Sequence, residues 1–254
     1  MAQSYSVDIS CIPMSYVKCA FSVLAAFFVT NCHGPQKDPN SIQVGICSDY
    51  PPFESRNNQN ELVGYDVDLS HMIGKELGKK VEFVDTSFNT LLNSVRSGKI
   101  DMVISSVGIT EERKKQVDFS QPYFFNRLTV VSRKDIPLAN ENALQNKKIG
   151  VQLGSSFAHW AKTRKLNHVT AMDLNPQLIE ALKAKQIEGV IIDYTQAAIF
   201  CQKNPELIYH FLEHDEQGTA VVFQKGSPLR DSVNQILQKL KASGQLQALE
   251  KKWL

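Results

Sequence analysis

Arg113 lies inside the charged run Glu111-Glu112-Arg113-Lys114-Lys115. A guanidinium presents a planar fork of donors that fits two carboxylate oxygens at once, but spacing alone equally fits a solvated face, the ordinary explanation of a charge run. Ser105 and Ser106 follow the apolar segment 102–104, and α/β sheets open their binding crevices beyond the C-terminal ends of strands. Gly154-Ser155-Ser156 follows the apolar segment 149–151 and opens a helical stretch. Free N–H groups at such a start can receive a carboxylate, while the same three residues also read as an ordinary Gly-Ser turn. Asp193 ends the apolar run Gly189-Val190-Ile191-Ile192 and by itself reads as the N-cap of a following helix. Tyr50 stands beside Pro51-Pro52, which does not easily enter the middle of a sheet. His71 and His159 have no partner identifiable by spacing, and a lone imidazole is more often structural than catalytic.

The elements that must carry these residues alternate between strand and helix. Residues 42–47 read as a strand. Between 65 and 77 one helical face collects Leu69, Met72, Ile73 and Leu77 before Gly78 stops it. Strands at 81–84, 102–104, 128–131, 149–151, 189–192 and 220–223 follow. Between them, Leu91, Leu92 and Val95 form a short amphipathic helix, and Asn175-Pro176 caps and starts another carrying Leu178, Ile179 and Leu182. Ser227-Pro228 opens a last helix with Val233, Ile236, Leu237 and Leu240. Repeated βα units predict parallel sheets with helices on both faces.

The chain has 254 residues, 43% hydrophobic and 21% charged, with a formal charge of +2. That excludes a disordered chain and a membrane bundle, and the mixed charges offer no basic stripe for nucleic acid. At the N-terminus, Lys18 precedes an apolar run over 20–29, shorter than the roughly 20 residues of a membrane span. The pattern reads as a signal segment over 1–31, with Met14 an alternative start. Residues 32–41, with Gly34, Pro35 and Pro39, read as a tether. Cys47 and Cys201 make no metal motif and are expected to be structural thiols.

Four segments then occur in one order: Ser48-Asp49-Tyr50-Pro51-Pro52-Phe53-Glu54; Gly64-Tyr65-Asp66-Val67-Asp68-Leu69; Gly98-Lys99-Ile100-Asp101-Met102-Val103-Ile104-Ser105; and Ile109-Thr110-Glu111-Glu112-Arg113-Lys114-Lys115 leading to Asp118-Phe119-Ser120-Gln121-Pro122-Tyr123. With 150–156 and Asp193, they resemble over residues 42–254 the amino-acid-binding proteins of ABC importers, solute-binding protein family 3, and most of all its arginine and basic amino-acid binders. The resemblance implies an α/β fold of the two-lobed type II periplasmic binding protein, with two parallel-type sheets joined by two hinge strands. Residues 42–130 and 222–254 would form the first lobe and 131–221 the second, closing over a ligand. Closure is implied by the family and is not read from the residues.

The implied function is extracytoplasmic capture of a free amino acid, arginine favoured, for ABC permease and ATPase subunits, by a monomer that needs no cofactor or metal and catalyses nothing. The Val29-Thr30-Asn31-Cys32 segment resembles a lipoprotein signal, which implies a periplasmic protein anchored through a lipidated Cys32. In the cleft the resemblance gives the ligand carboxylate to Arg113 from the first lobe and to Ser155 and Ser156 from the second. It gives the ammonium to Asp193, further polar contacts to Ser105, Ser106 and the backbone of Gly108, and the side-chain pocket to Tyr50 and Phe88. A flat cation between two rings gains roughly 0.5 to 2 kcal/mol per contact, with Asp49, Glu54 or Asp85 as the anion at its far end. Basic-ligand relatives carry an acid where this chain has Cys47, which leaves glutamine or another polar amino acid as an alternative. A secreted dehydratase or lyase on the same scaffold is the enzymatic alternative, and the sensing domain of a receptor is a third.

Overall fold

In the computed structural model, which describes residues 38–254, two open sheets each carry helices on both faces. The expected signal segment, Cys32 and the alternative start Met14 lie outside the described residues, as does the expected tether up to residue 37; residues 38–40 make a turn into the first strand.

The chain begins with β1 (Ser41–Ile46) and passes through three short strands, β2 (Asp49–Tyr50), β3 (Glu54–Arg56) and β4 (Leu62–Val63), before α1 (Tyr65–Glu76). Then come β5 (Lys80–Asp85), α2 (Phe88–Arg96), β6 (Met102–Val103), the one-turn α3 (Glu111–Lys114) and β7 (Val117–Phe119). The second sheet starts with the long β8 (Phe124–Arg133). It continues through β9 (Lys148–Gln152), α4 (Ser156–Thr163), β10 (His168–Met172), α5 (Asn175–Lys183), β11 (Gly189–Asp193), α6 (Tyr194–Lys203) and β12 (Leu207–Thr219). The chain returns to the first sheet with β13 (Val222–Gln224) and ends in α7 (Leu229–Ala242) and α8 (Gln245–Trp253).

The sheet orders are β5-β1-β6-β13-β7 and β10-β9-β11-β8-β12. β1, β5 and β6 run parallel, as do β9, β10 and β11, as their intervening helices require. The expectation of parallel sheets fails at β13 and β8, which run antiparallel to both of their neighbours. These two strands adjoin the points where the chain changes sheet, so no helical crossover fixes their direction. The changes fall between Phe119 and Phe124 and between Thr219 and Val222, where the two segments lie side by side. Ser120 N donates to Val221 O at 2.9 Å, and Tyr123 N to Thr219 O at 2.9 Å.

Apolar periodicity explains the layers. Leu69 and Ile73 of α1 pack with Val233, Ile236, Leu237 and Leu240 of α7 on one face of the first sheet, and Leu91 and Val95 of α2 cover the other. Trp160 and Ala161 of α4 cover one face of the second sheet, and Leu178, Ile179 and Leu182 of α5 the opposite one. Asn175 is not the cap expected of it: helix α5 begins at Asn175 itself, and the capping position, Leu174, makes no side-chain bond. Cys47 and Cys201 are not in a disulfide. Among the described residues no helix is long and apolar enough to cross a membrane.

Candidate functional site

The first sheet ends in a polar floor. Beyond β6, Ser105 is fully buried; its hydroxyl donates to Glu54 Oε1 at 2.7 Å and accepts from Cys47 N at 3.0 Å. Ser106 adopts φ 46°, the left-handed region that a non-glycine residue enters only where its surroundings hold it. Its N–H donates to Asp66 Oδ2 at 2.6 Å, and its hydroxyl is buried with no hydrogen-bond partner.

Arg113 stands at this floor because Thr110 starts a helical turn, its Oγ1 accepting from Arg113 N at 3.1 Å. Glu111, Glu112, Lys114 and Lys115 of the charge run are exposed, but Arg113 turns inward and is 7% exposed. Its Nη1 donates to Gly108 O at 2.6 Å, its Nη2 to Gly154 O at 2.8 Å, and its Cζ lies 5.7 Å from the centre of the Phe88 ring. Burial lowers its pKa to about 10, so the guanidinium stays charged at neutral pH.

Gly154 belongs to the second sheet's side. It turns with φ +74°, and a Cβ there would stand 3.2 Å from Asn89 Cα on the first side. Ser155 caps α4, accepting from Ala158 N at 3.1 Å and donating to Gln152 O at 2.7 Å, so its hydroxyl is engaged. Asp193 is 2% exposed and caps α6 through Oδ1, which accepts from Gln196 N at 3.0 Å. Its Oδ2 accepts from the Tyr50 hydroxyl across the cleft. Burial pushes this carboxyl up to about 7, a shift that a cation placed beside it would reverse. Gln196 Nε2 also donates across the cleft to Pro51 O, and His159 Nδ1 lies 2.9 Å from Glu112 Oε2.

Two adjoining cavities lie between these surfaces. One is lined by Tyr50, Ser106, Gly108, Ser156 and Asp193, with Asn126, Arg127, Leu128, Phe157 and Thr219. The other is lined by Tyr50, Phe88, Ser105, Ser106, Ser155 and Ser156, with Gln152 and Phe157. Arg113 lines neither and sits beside them against Phe88. Sequence reasoning missed Phe157, although it adjoins Ser156 at the helix start. It also missed Asn126, Arg127 and Thr219, which lie where the chain crosses between sheets. Arg127 Cζ stacks 3.7 Å from the centre of the Phe211 ring.

The three acids considered for the far end of a ligand line neither cavity. Asp49 Oδ1 accepts from Cys47 Sγ at 2.9 Å, and its carboxyl is raised by burial. Asp85 is held by Arg56 at 2.7 Å and Ser48 Oγ at 2.6 Å, and Glu54 is turned into the protein toward Ser105. His71 packs edge-on against Phe83, centroids 5.3 Å apart, and His159 is paired with Glu112; neither lines a cavity. Among the described residues, no cluster of His, Cys, Asp or Glu is placed to hold a metal ion.

Residues 42–254 match the family described as bacterial extracellular solute-binding proteins, family 3. The arginine-binding extracellular protein ArtP of Bacillus subtilis is 32% identical over 243 residues, covering 89% of this chain and 92% of that relative. Among solved structures, an ancestral arginine-binding protein bound to arginine superposes with a TM-score of 0.79 at 33% identity, covering 85% of this chain and 98% of the other. An ancestral amino-acid-binding protein described as a precursor of cyclohexadienyl dehydratase superposes with a TM-score of 0.77 at 29% identity, covering 84% and 95%.

Proposed function

The chain belongs to the bacterial extracellular solute-binding proteins, family 3, and from that premise we propose that it captures a free amino acid, arginine first, between two closing lobes and presents it to an ABC importer. The observation that carries this reading is that the two sides of one cleft bring buried groups of opposite charge type. A buried guanidinium, Arg113, approaches from the first sheet, and a buried carboxyl, Asp193, from the second. An amino acid brings a carboxylate and an ammonium, and both must be paired once water is expelled. In this reading Arg113 and the start of α4 take the carboxylate, and Asp193 takes the ammonium. The Ser106 hydroxyl supplies a further contact, and the side chain lies against Tyr50 and Phe88.

The lobes of this proposal are residues 42–130 with 222–254, and 131–221. Ligand drives closure because contacts from Arg113 and Asp193 coexist only when the lobes meet. Arginine is preferred because the aromatic pocket favours a flat cation and because the arginine-binding protein of Bacillus subtilis is similar over most of both chains. The protein works outside the cytoplasmic membrane, anchored through Cys32. A thermal-shift screen against the twenty amino acids tests the reading, since a ligand that binds only the folded state raises its stability. The largest rise is expected with arginine; no rise with any amino acid would overturn it.

A further inference from the structure

Two motifs of the sequence, Phe53-Glu54 and Gly64-Tyr65-Asp66, have no role in holding a ligand, yet they bring two carboxyl groups together under the site. Gly64, at φ +139°, is the closest point: a Cβ there would stand 2.1 Å from Phe53 O and 2.9 Å from Glu54 N. Only glycine lets the start of α1 lie this near, and Asp66 N then donates to Phe53 O at 2.8 Å. Glu54 is 1% exposed and Asp66 0%.

Each carboxyl spends one oxygen on the floor of the cleft. Glu54 Oε1 accepts from Ser105 Oγ at 2.7 Å. Asp66 Oδ2 accepts from Ser106 N at 2.6 Å and from Tyr123 OH at 3.0 Å. The two oxygens left over, Glu54 Oε2 and Asp66 Oδ1, are buried acceptors with no donor. Among the described residues neither carboxyl is in an ion pair with Lys, Arg or His. The other titratable groups facing them are Asp49 and Cys47 toward Glu54, Tyr65 beside Asp66, and Tyr123 beside both, none of them a cation. Two anions without a counter-charge are not sustained at this burial, whereas one proton between the two spare oxygens supplies the missing donor and removes one charge.

We propose that Glu54 and Asp66 form a positioning pair, with Glu54 protonated and donating from Oε2 to Asp66 Oδ1, that fixes the Ser105–Ser106 turn at the cleft floor. Burial, with the neighbouring Asp66, holds the Glu54 carboxyl well above the usual range; burial also raises Asp66, to about 6, against the lowering by hydrogen bonds from Ser106, Glu54 and Tyr123. Asp66 stays the anion that grips Ser106 N and so sustains its left-handed backbone beside the cavities that Ser106 lines. The pair's effect on ligand affinity rests on the proposed function; its protonation does not.

Infrared difference spectroscopy of the full chain at neutral pH reads the proton directly. Asp193 contributes a protonated-carboxyl carbonyl band of its own at this pH, so the expected result is a second such component in the wild type that is lost in Glu54→Gln. Identical spectra in that region would overturn the pair, and this reading needs no ligand. Glu54→Gln replaces the O–H donor with N–H and keeps an acceptor for Ser105, so it should melt like the wild type and bind arginine within about threefold. Glu54→Leu leaves the Asp66 oxygen without a donor and should weaken arginine binding by at least about tenfold. If Gln proves as damaging as Leu in melting and affinity, the shared proton does not position the turn. Failure of the wild type to bind arginine while the band persists counts against the proposed function alone, and the pair is then judged on the band and on the melting of the two variants.

Discussion

Arg113 and Gly154 meet across the cleft, Nη2 donating to the carbonyl oxygen at 2.8 Å, at a point where the glycine backbone has φ +74° and all but touches Asn89. The approach depends on the missing side chain. Gly154→Ala would put a methyl 3.2 Å from Asn89 Cα and impose a left-handed conformation costing roughly 1 to 2 kcal/mol. Contact with Asn89 exists only when the two sides are together, so the variant should bind arginine about tenfold more weakly. Calorimetry checks this, and an unchanged dissociation constant would show that the close approach is not part of the bound form.

Arg113→Ala should remove tight binding without unfolding the chain. A charge-assisted hydrogen-bond partner is worth roughly 1.5 to 3 kcal/mol, and more is lost when its mate stays buried and unpaired. A fall in affinity of at least about tenfold, with circular dichroism preserved, is the expected result. Full affinity in the Ala variant would return Arg113 to a structural role.

Asp193 should make binding depend on pH. Its carboxyl is raised from 3.8 to about 7 by burial, so the stability it contributes is complete below pH 3.8 and is lost as pH rises through about 7. An ammonium beside it favours the charged form. Ligand binding below about pH 7 should therefore release protons and grow tighter as pH rises toward 7. Titrations in buffers of different ionisation enthalpy measure that release. Asp193→Asn should abolish it and weaken binding, and proton release unchanged in that variant would assign the effect to another group.

Part of the candidate site was legible because three of its residues adjoin the end of a readable element. Ser105 follows an apolar strand, Ser155 caps a helix, and Asp193 ends β11 where a cap is needed. Arg113 was not legible from spacing, because a four-residue helix capped by Thr110 looks like any charged surface turn until its side chain is seen under Phe88. Asn126, Arg127 and Thr219 were hidden because a crossing segment has no period of its own. The parallel-sheet expectation overlooked that a strand entering from the other sheet has no crossover helix to set its direction, and β13 and β8 show the consequence. Asp49 was considered for its charge alone, while the fold turns it toward the Cys47 thiol.

Competition calorimetry with L-arginine and L-glutamine measures most directly whether the cleft captures a basic amino acid. One arginine should bind per chain, more tightly than glutamine, because the ring faces of Tyr50 and Phe88 attract a flat cation more than a neutral amide. Tighter binding of glutamine, or no binding of either, would contradict the account.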